Sequence, residues 1–246
     1  MELRLKQTQK IEFEAIDFTG KLSINGLSHY MQTIAAKHAS KLGFNYYKNE
    51  ERPKYYWILA RAKYTIHAYP LWEEKISLET YPGGYDKLFA VRLFDIYDDQ
   101  EKCIGNIIGD YILMDGAKER PVRIKGAEGP LAFLDFPYEG YSLSKLPLPE
   151  KIIKEEIRKA YYSEIDLNGH MNNAHYVKWC VDMLSLEQLQ EMEIESLQIN
   201  YNTSVTYGTS VKVILGENPE GGYLIAGNSI DDAVNYFIAL LTLRAR

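Results

Sequence analysis

The stretch Ile16-Asp17-Phe18-Thr19-Gly20 returns 149 positions later as Ile165-Asp166-Leu167-Asn168-Gly169. A His-Tyr pair follows each copy, at His29-Tyr30 and at His175-Tyr176, but these pairs lie 146 positions apart. The difference predicts three extra residues between the turn and the helix of the first copy. A match this short gains weight because the order of the predicted elements around it is also the same.

Around the first copy, the apolar spacing predicts a strand, a helix and then four further strands. Ile11, Phe13 and Ala15 alternate with charged residues, which is the period of a half-buried strand. The helix is predicted to begin after Ser23 and to stop at Gly43. Strand-like runs, divided by turn signals such as Pro82-Gly83-Gly84, then occupy residues 55–68, 75–80, 88–97 and 103–114.

The second half repeats this order. A strand is predicted over Ile152–Glu164 and a helix from about Asn173 to Leu184. Further strands are predicted at about 196–206, 209–216, 223–229 and 233–243. One helix with four or more antiparallel strands, twice over, predicts an α+β architecture in which a sheet wraps a central helix. Two such units joined edge to edge would cover each other's open sheet edges.

The connection between the halves has its own composition. Residues 126–150 hold Pro130, Pro137, Pro147 and Pro149, four of the nine prolines in the chain. Such a segment is typical of an extended connection rather than of a packed element. We therefore predict an N-terminal domain over residues 1–125, a linker over 126–150 and a C-terminal domain over 151–246.

Composition excludes several classes of function. A net charge of −6 argues against broad nucleic-acid binding, which needs a basic footprint. Cys103 and Cys180 are the only cysteines and form no metal or redox motif, so we expect neither a metal nor a cofactor. Residues 1–15 lack the apolar core of a secretory signal, and no apolar run approaches about 18 residues. These observations predict a cytoplasmic protein without a membrane span.

The groups that could carry chemistry stand just before the second helix. Asp166, Asn168 and His170 occupy positions i, i+2 and i+4, and in an extended turn such side chains would face one site. The start of a helix offers unpaired N–H groups and a positive dipole end, which could stabilise an oxyanion. A carboxylate or an imidazole could take a proton from water. The alternative is ordinary turn chemistry, with Asn172 acting only as a helix cap.

The same stretch resembles the second-domain signature of the acyl-acyl-carrier-protein (acyl-ACP) thioesterases of plant plastids and bacteria. Their pattern reads roughly D-x-N-x-H-x-N-N-x-x-Y, followed by a tryptophan. The matching residues here are Asp166, Asn168, His170, Asn172, Asn173, Tyr176 and Trp179. The run from Trp57 to Tyr69-Pro70 and the run Ile199-Asn200-Tyr201 also resemble the family, so the similarity covers nearly the whole chain.

The resemblance implies a double hotdog fold and the release of free fatty acid from acyl-ACP. It implies Asp166, Asn168 and His170 as the catalytic set. Asn168 would polarise the thioester, and Asp166 and His170 would orient and deprotonate water, with the base left open between them. Acyl-ACP would be the partner, and the chain a monomer or a homodimer. The N-terminal domain would be non-catalytic and would line the acyl pocket, with Met31, Ile34 and Trp57 as substrate-binding candidates.

The chain also departs from the family pattern. Members often carry a glutamate on the strand after the second helix, and Ser204 stands at that position. A serine is no general base near neutral pH without activation, so Ser204 and Asn173 are secondary candidates only. The first copy has Thr19 and Lys21 where the second has Asn168 and His170.

Three other functions stay open. The first is hydrolysis of acyl-CoA, which needs the same carbonyl chemistry. The second is hydration or dehydration of an acyl thioester, although hotdog hydratases usually carry a proline between the asparagine and the histidine, and none lies between Asn168 and His170. The third is acyl binding without catalysis, which Ser204 makes plausible.

Overall fold

The computed structural model describes residues 3–44, 54–86, 88–124 and 143–246. Eleven strands in these ranges form one antiparallel sheet. They are β1 Leu5–Lys10, β2 Tyr55–Ile66, β3 Lys75–Asp86, β4 Phe89–Tyr97, β5 Cys103–Asp115, β6 Arg120–Pro121, β7 Ile152–Lys159, β8 Met192–Tyr201, β9 Ser210–Glu217, β10 Tyr223–Asn228 and β11 Asn235–Ala245. The α-helices are α1 Ile24–Lys41, α2 Asn173–Val181 and α3 Leu186–Glu191. None of these helices is long and apolar enough to cross a membrane.

The two halves of the sheet have the same strand order. Read outward from the centre, one half runs β2, β5, β4, β3, β1 and the other runs β8, β11, β10, β9, β7. The halves are joined by antiparallel pairing of β2 with β8, from Arg61 opposite Asn200 to Thr65 opposite Ser196. This arrangement relates the halves by an approximate two-fold axis at the β2–β8 pair, and it confirms the predicted α+β class with two tandem hotdog units.

Both long helices lie on one face of this sheet. Apolar residues of α1 and α2 share a single hydrophobic core with the inward side chains of the central strands, including Ala62, Tyr64, Leu197 and Ile199. The Tyr64 hydroxyl is 3.0 Å from Ser28 Oγ of α1, which satisfies two polar groups in an otherwise apolar layer. The outer residues of the same strands alternate to the opposite face.

The repeat runs at a single offset of 149 from the turn into the helix, so the prediction of three extra residues is wrong. The helix caps are Ser23 and Asn172, which lie 149 positions apart. The next exposed positions, His29 and Lys178, keep the same spacing. The two His-Tyr pairs therefore do not occupy matched places, and their similarity is one of letters alone.

One predicted strand is wrong and another ends earlier than predicted, in both cases where the chain turns toward a helix. The alternation over Ile11–Ala15 belongs to a 3-10 helix, Phe13–Ala15, and the strand is β1, which precedes it. The chain bends there because the Ala15 carbonyl accepts hydrogen bonds from Ser23 N at 2.8 Å and Ser23 Oγ at 2.9 Å. The second copy behaves alike, since β7 ends at Lys159 and Tyr162–Glu164 is a 3-10 helix.

Other boundaries also differ from the prediction. Pro82-Gly83-Gly84 lies inside β3 as a bulge, where Gly84 takes φ +83°, instead of forming a turn. The second helix ends at Val181, and α3 follows it after a separate cap at Ser185. The Ser185-x-x-Gln188 capping box was the sequence signal for α3. The strand predicted to reach Thr206 is β8, which ends at Tyr201.

The end of the predicted linker crosses the outer face of the sheet. Residues 125–142 lie outside the described residues. Beyond them, Leu143 N donates to Asp110 Oδ2 at 3.4 Å, Arg61 donates to the Leu143 carbonyl, and Gln198 Nε2 donates to the Ser144 carbonyl at 2.8 Å. These bonds fasten the segment across the β2–β8 joint on the side away from the helices.

Asp110 has an unusual place under this segment. Its side chain is 1% exposed and 3.8 Å from the Arg61 guanidinium, and its Oδ1 has no hydrogen-bond partner among the described residues. Burial raises the pKa of Asp110 to about 6, against the opposing effects of the Leu143 N–H and of Arg61. The ionised form is thus disfavoured in the folded state relative to the unfolded chain.

We predict that Asp110→Asn stabilises the protein at neutral pH. The folded pKa lies above the model-peptide value of 3.8, so the wild type loses stability as pH rises from about 4 to about 6. In denaturant unfolding, the stability of Asp110→Asn relative to wild type should increase by about 1–2 kcal/mol between pH 4.5 and pH 7.5, as Asp110 ionises in the folded wild type. An equal pH dependence in both proteins would contradict this. Asp99→Asn, at an exposed position in the turn between β4 and β5, is the control.

Candidate active site

The turn before each long helix has the same backbone geometry. Asp166 N donates to the His170 carbonyl at 2.8 Å, and Gly169 N donates to the Asp166 carbonyl at 3.0 Å. The first copy makes the equivalent bonds from Asp17 and Gly20, at 2.9 and 3.0 Å. Gly20 and Gly169 take φ +76° and +77°, a region that glycine enters without the Cβ penalty. The glycine of each copy is therefore required by the turn.

The carboxylate of Asp166 closes this turn. Asp166 Oδ1 accepts a hydrogen bond from Asn168 N at 2.8 Å and a longer one from His170 N at 3.4 Å. The stretch is therefore a tight turn, and the expectation that an extended backbone points Asp166, Asn168 and His170 the same way is wrong. The Asp166 carboxylate holds the three residues together, because it accepts hydrogen bonds from the backbone N–H groups of both Asn168 and His170. The side chains of Asn168 and His170 are exposed.

Other residues of the signature hold the scaffold around the turn. Asn172 caps α2, because its Oδ1 accepts from Ala174 N at 2.9 Å. Tyr176 Oη accepts from Val205 N at 3.0 Å, which ties α2 to the loop after β8. Trp179 Nε1 donates to Glu164 Oε1 at 2.9 Å. Asn172 thus has the capping role that the turn-chemistry alternative assigned to it.

Two titratable groups on α2 face the interior. Burial raises the pKa of Tyr176 to about 12, the hydrogen bond from Val205 opposes this, and the charge of Asp166 adds to it. Burial lowers the pKa of His175, whose ring lies 6.0 Å from that of His29 on α1. Tyr176 is therefore protonated and His175 neutral near pH 7.

The loop that carries Ser204 lies beside the turn. Met171 N donates to the Val205 carbonyl at 2.8 Å, and His170 forms an isolated bridge with Thr206. Ser204 itself is exposed. Asn173 is in the first turn of α2, and its carbonyl accepts from Tyr201 Oη at 3.3 Å. The structure thus brings both secondary candidates to the neighbourhood of Asp166, Asn168 and His170.

Comparison with known proteins assigns the chain to a family. A family sequence profile described as the acyl-ACP thioesterase N-terminal domain matches residues 2–127, and one described as the acyl-ACP thioesterase C-terminal domain matches residues 150–233. The chain belongs to the acyl-ACP thioesterase family. An oleoyl-acyl carrier protein thioesterase of Coriandrum sativum is 23% identical over 248 residues, which cover 87% of this chain and 66% of the relative.

Solved structures of acyl-ACP thioesterases share the fold. The chain aligns with one from Bacteroides thetaiotaomicron at a TM-score of 0.85 and 22% identity, covering 98% of both chains. It aligns with the 12:0-ACP thioesterase of Umbellularia californica at a TM-score of 0.83 and 19% identity, covering 100% of this chain and 99% of the other. The chain spans about half to two thirds of the length of the curated plant relatives that it matches.

The structure has a cleft at the turn of the first copy, which we call the first cleft. It has a volume of about 320 Å³. Its walls include Asp17, Lys21 and Tyr69. The two-fold relation gives each of them a counterpart in the second copy. Asp17 and Lys21 correspond to Asp166 and His170 at the offset of 149.

Tyr69 corresponds to Ser204. Leu22 N donates to the carbonyl of the residue after Tyr69, and Met171 N donates to the carbonyl of the residue after Ser204, both at 2.8 Å. The residues matched to Asp166, His170 and Ser204 therefore line one cavity in the first copy. We call the corresponding place in the second copy, between the Asp166–His170 turn and the Ser204 loop, the second cleft.

The substrate-binding candidates of the N-terminal half lie in two separate clusters. Met31 and Ile34, 0% and 2% exposed, belong to the main core under α1. Trp57 packs edge-on against Phe44, with ring centroids 5.5 Å apart, in a small cluster that also contains Leu113. Within the described residues these clusters are distinct, and an acyl-binding role for Met31, Ile34 and Trp57 stays a prediction.

The role of Asp166 in its turn can be tested by comparison with Asp17, which occupies the matching position in the first copy. Asp166→Ala removes the acceptor for two backbone N–H groups and should lower the free energy of unfolding by about 1–2 kcal/mol, whereas Asp166→Asn keeps Oδ1 and should cost about 0.5 kcal/mol or less. Asp17→Ala and Asp17→Asn should show the same pattern, because the turns share their geometry. Thermal or urea unfolding of the four variants measures this.

Equal destabilisation by the alanine and asparagine variants at position 166 would contradict the turn role. Turnover separates the chemistry from the scaffold, since a loss in Asp166→Asn that exceeds the loss in Asp17→Asn cannot come from the turn.

Proposed function

We propose that this chain hydrolyses the thioester of an acyl-ACP and releases a free fatty acid. One observation carries the proposal. The first cleft is a real cavity, and the positions that line it correspond, in the second copy, to a carboxylate at Asp166, an imidazole at His170 and a hydroxyl at Ser204. The family and the fold agree with this chemistry.

The geometry divides the roles among the candidates. Asp166 Oδ1 accepts hydrogen bonds from backbone N–H groups of the turn, so we assign Asp166 to holding and orienting Asn168 and His170. We assign the proton transfer from water to His170, because a neutral imidazole carries a ring nitrogen that can accept a proton and this side chain is exposed beside the turn. Asn168 has an exposed amide and would donate to the thioester oxygen as negative charge develops there. Asn173, at the helix start, is the secondary donor.

The reaction that follows from these roles is a water attack. A water oxygen bonds to the carbonyl carbon while His170 accepts one of its protons. The tetrahedral intermediate then collapses, the carbon–sulfur bond breaks, and the leaving thiolate takes the proton from His170. The products are a carboxylic acid and the free thiol of the carrier, and water is the only other reactant consumed.

The remaining assignments rest on this proposal. We propose acyl-ACP as the partner, a cytoplasmic location, and a monomer or homodimer. The division into a domain over residues 1–125, a linker over 126–150 and a catalytic domain over 151–246 is likewise proposed. Plant relatives carry the word chloroplastic in their names, and that word describes those proteins.

A second candidate function is acyl binding without turnover. Its support is Ser204, which stands where the family pattern often has a glutamate and which lies on the loop beside the turn. A hydroxyl at this place can hold a water by hydrogen bonding but cannot accept its proton at neutral pH.

The direct test is an assay with purified protein and long-chain acyl-ACP that follows free fatty acid and free thiol together. The wild type should release both in equal amounts, and His170→Ala should lower kcat by at least about 100-fold, the scale of general base catalysis. His67→Ala, which removes an exposed imidazole elsewhere, is the matched control. Binding of acyl-ACP without product would favour the second candidate, and an unchanged rate in His170→Ala would reject the site. Repeating the assay with acyl-CoA of the same chain identifies the carrier.

A further prediction concerns Ser204. Ser204→Glu places a second carboxylate beside the turn and should raise kcat several-fold if water activation limits the rate, while Ser204→Ala should change kcat by less than a factor of about three. Steady-state kinetics of the two variants decide between these effects. A Ser204→Ala variant as inactive as His170→Ala would show instead that the serine hydroxyl is itself essential.

A further inference from the structure

The first cleft lies away from the proposed catalytic residues and is amphipathic. It is bounded by the turn after Ile16, the start of α1, the end of α2, α3 and the start of β8. Its apolar walls are Ile16, Phe18, Ile24, Val181, Leu189 and Ile194. At about 30 Å³ for a small heavy-atom group, its 320 Å³ would hold on the order of ten heavy atoms.

Glu193 lines the cleft, and its charge is neutralised by Arg244. Arg244 donates to Glu193 Oε1 through Nε at 3.0 Å and Nη2 at 2.7 Å. Both of these charge-assisted bonds reach the same carboxylate oxygen. Lys21 reaches the other oxygen of Glu193 only at 3.3 Å. Glu193 therefore has two cations for one negative charge.

Arg246 is the second cation of the cleft. Its Nε donates to the carbonyls of Leu189 and Met192, both at 3.1 Å, which fixes the side chain in place. Among the described residues, its Nη groups make long contacts, 3.4 Å to Thr19 Oγ1 and 4.0 Å to Asp17 Oδ2. Asp17 Oδ1 accepts a hydrogen bond from Thr19 N at 2.8 Å. Lys178 and Asp182 also line the cleft, and Asp182 accepts from Arg158 Nη1 at 2.8 Å. Lys21 and Arg246 therefore line the cavity with contacts of 3.3 Å and 4.0 Å to its other acids, Glu193 and Asp17.

We propose that the first cleft binds the carboxylate of a medium-chain free fatty acid, with Lys21 and Arg246 on the carboxylate and the apolar walls on the chain. The side chains of Lys21 and Arg246 are 32% and 20% exposed, so their attraction for an anion is less screened than on an open surface. The inference rests on the proposed function in one respect only, that such an acid is the product class of the same chain.

The probe is octanoate, which has ten heavy atoms. Calorimetric titration of the full chain should show saturable octanoate binding, while octylamine, with the same chain and the opposite charge, should not bind. Lys21→Gln and Arg246→Gln should each weaken octanoate binding about tenfold, the loss of one charge-assisted hydrogen bond. Lys151→Gln, which removes an exposed lysine at the start of β7, should leave the affinity unchanged. A crystal soaked with 8-bromooctanoate should place the bromine between Val181 and Leu189.

Three results would overturn the inference. They are no octanoate binding in the millimolar range, octylamine binding as well as octanoate, or affinity that does not respond to Lys21→Gln and Arg246→Gln. The last would locate octanoate elsewhere, such as the acyl pocket. Octanoate binding is measured without any thioester, so its failure leaves the proposed hydrolysis intact. Loss of hydrolysis with normal octanoate binding would reject the proposed function alone.

Discussion

The antiparallel pairing of β2 with β8 is the interaction on which the rest of the structure depends. Without it each half would expose a central strand edge, with a row of unpaired backbone groups open to any other chain. The pairing removes both edges, and it places α1 and α2 on one face, where they share a core. It also generates the approximate two-fold axis, and this axis places the turns of the two copies at equivalent positions in their halves.

The signature around Asp166 is more scaffold than chemistry. Asp166 closes the turn, Asn172 caps α2, Tyr176 holds the loop after β8, and Trp179 is bonded to Glu164. Sequence alone gives these residues the same standing as Asn168 and His170, because a pattern of letters does not separate a side chain that bonds the backbone from one that faces solvent. The structure makes that separation and leaves the exposed amide and imidazole as the groups available for substrate.

Sequence patterns predicted the fold class and the order of elements well, and failed where long-range bonds set the backbone. The Ser23 cap and the strands after Tyr55 follow from local periodicity. The 3-10 helix at Phe13–Ala15 does not, because it depends on hydrogen bonds between Ala15 and Ser23 across the turn. The His-Tyr letters suggested an insertion that the caps and the exposed positions rule out. For the site, local spacing found the turn residues but gave the wrong reason for their proximity.

Fusion of two copies in one chain explains how the clefts came to differ. In a dimer of identical chains both turns carry the same residues, and any change appears twice. Here Lys21, Tyr69 and Arg246 line the first cleft, and His170 and Ser204 stand at the positions of the second copy that match Lys21 and Tyr69. Both copies keep the aspartate and the glycine of the turn, because the backbone geometry of the turn requires them. The other positions carry no such demand and are free to serve different ligands.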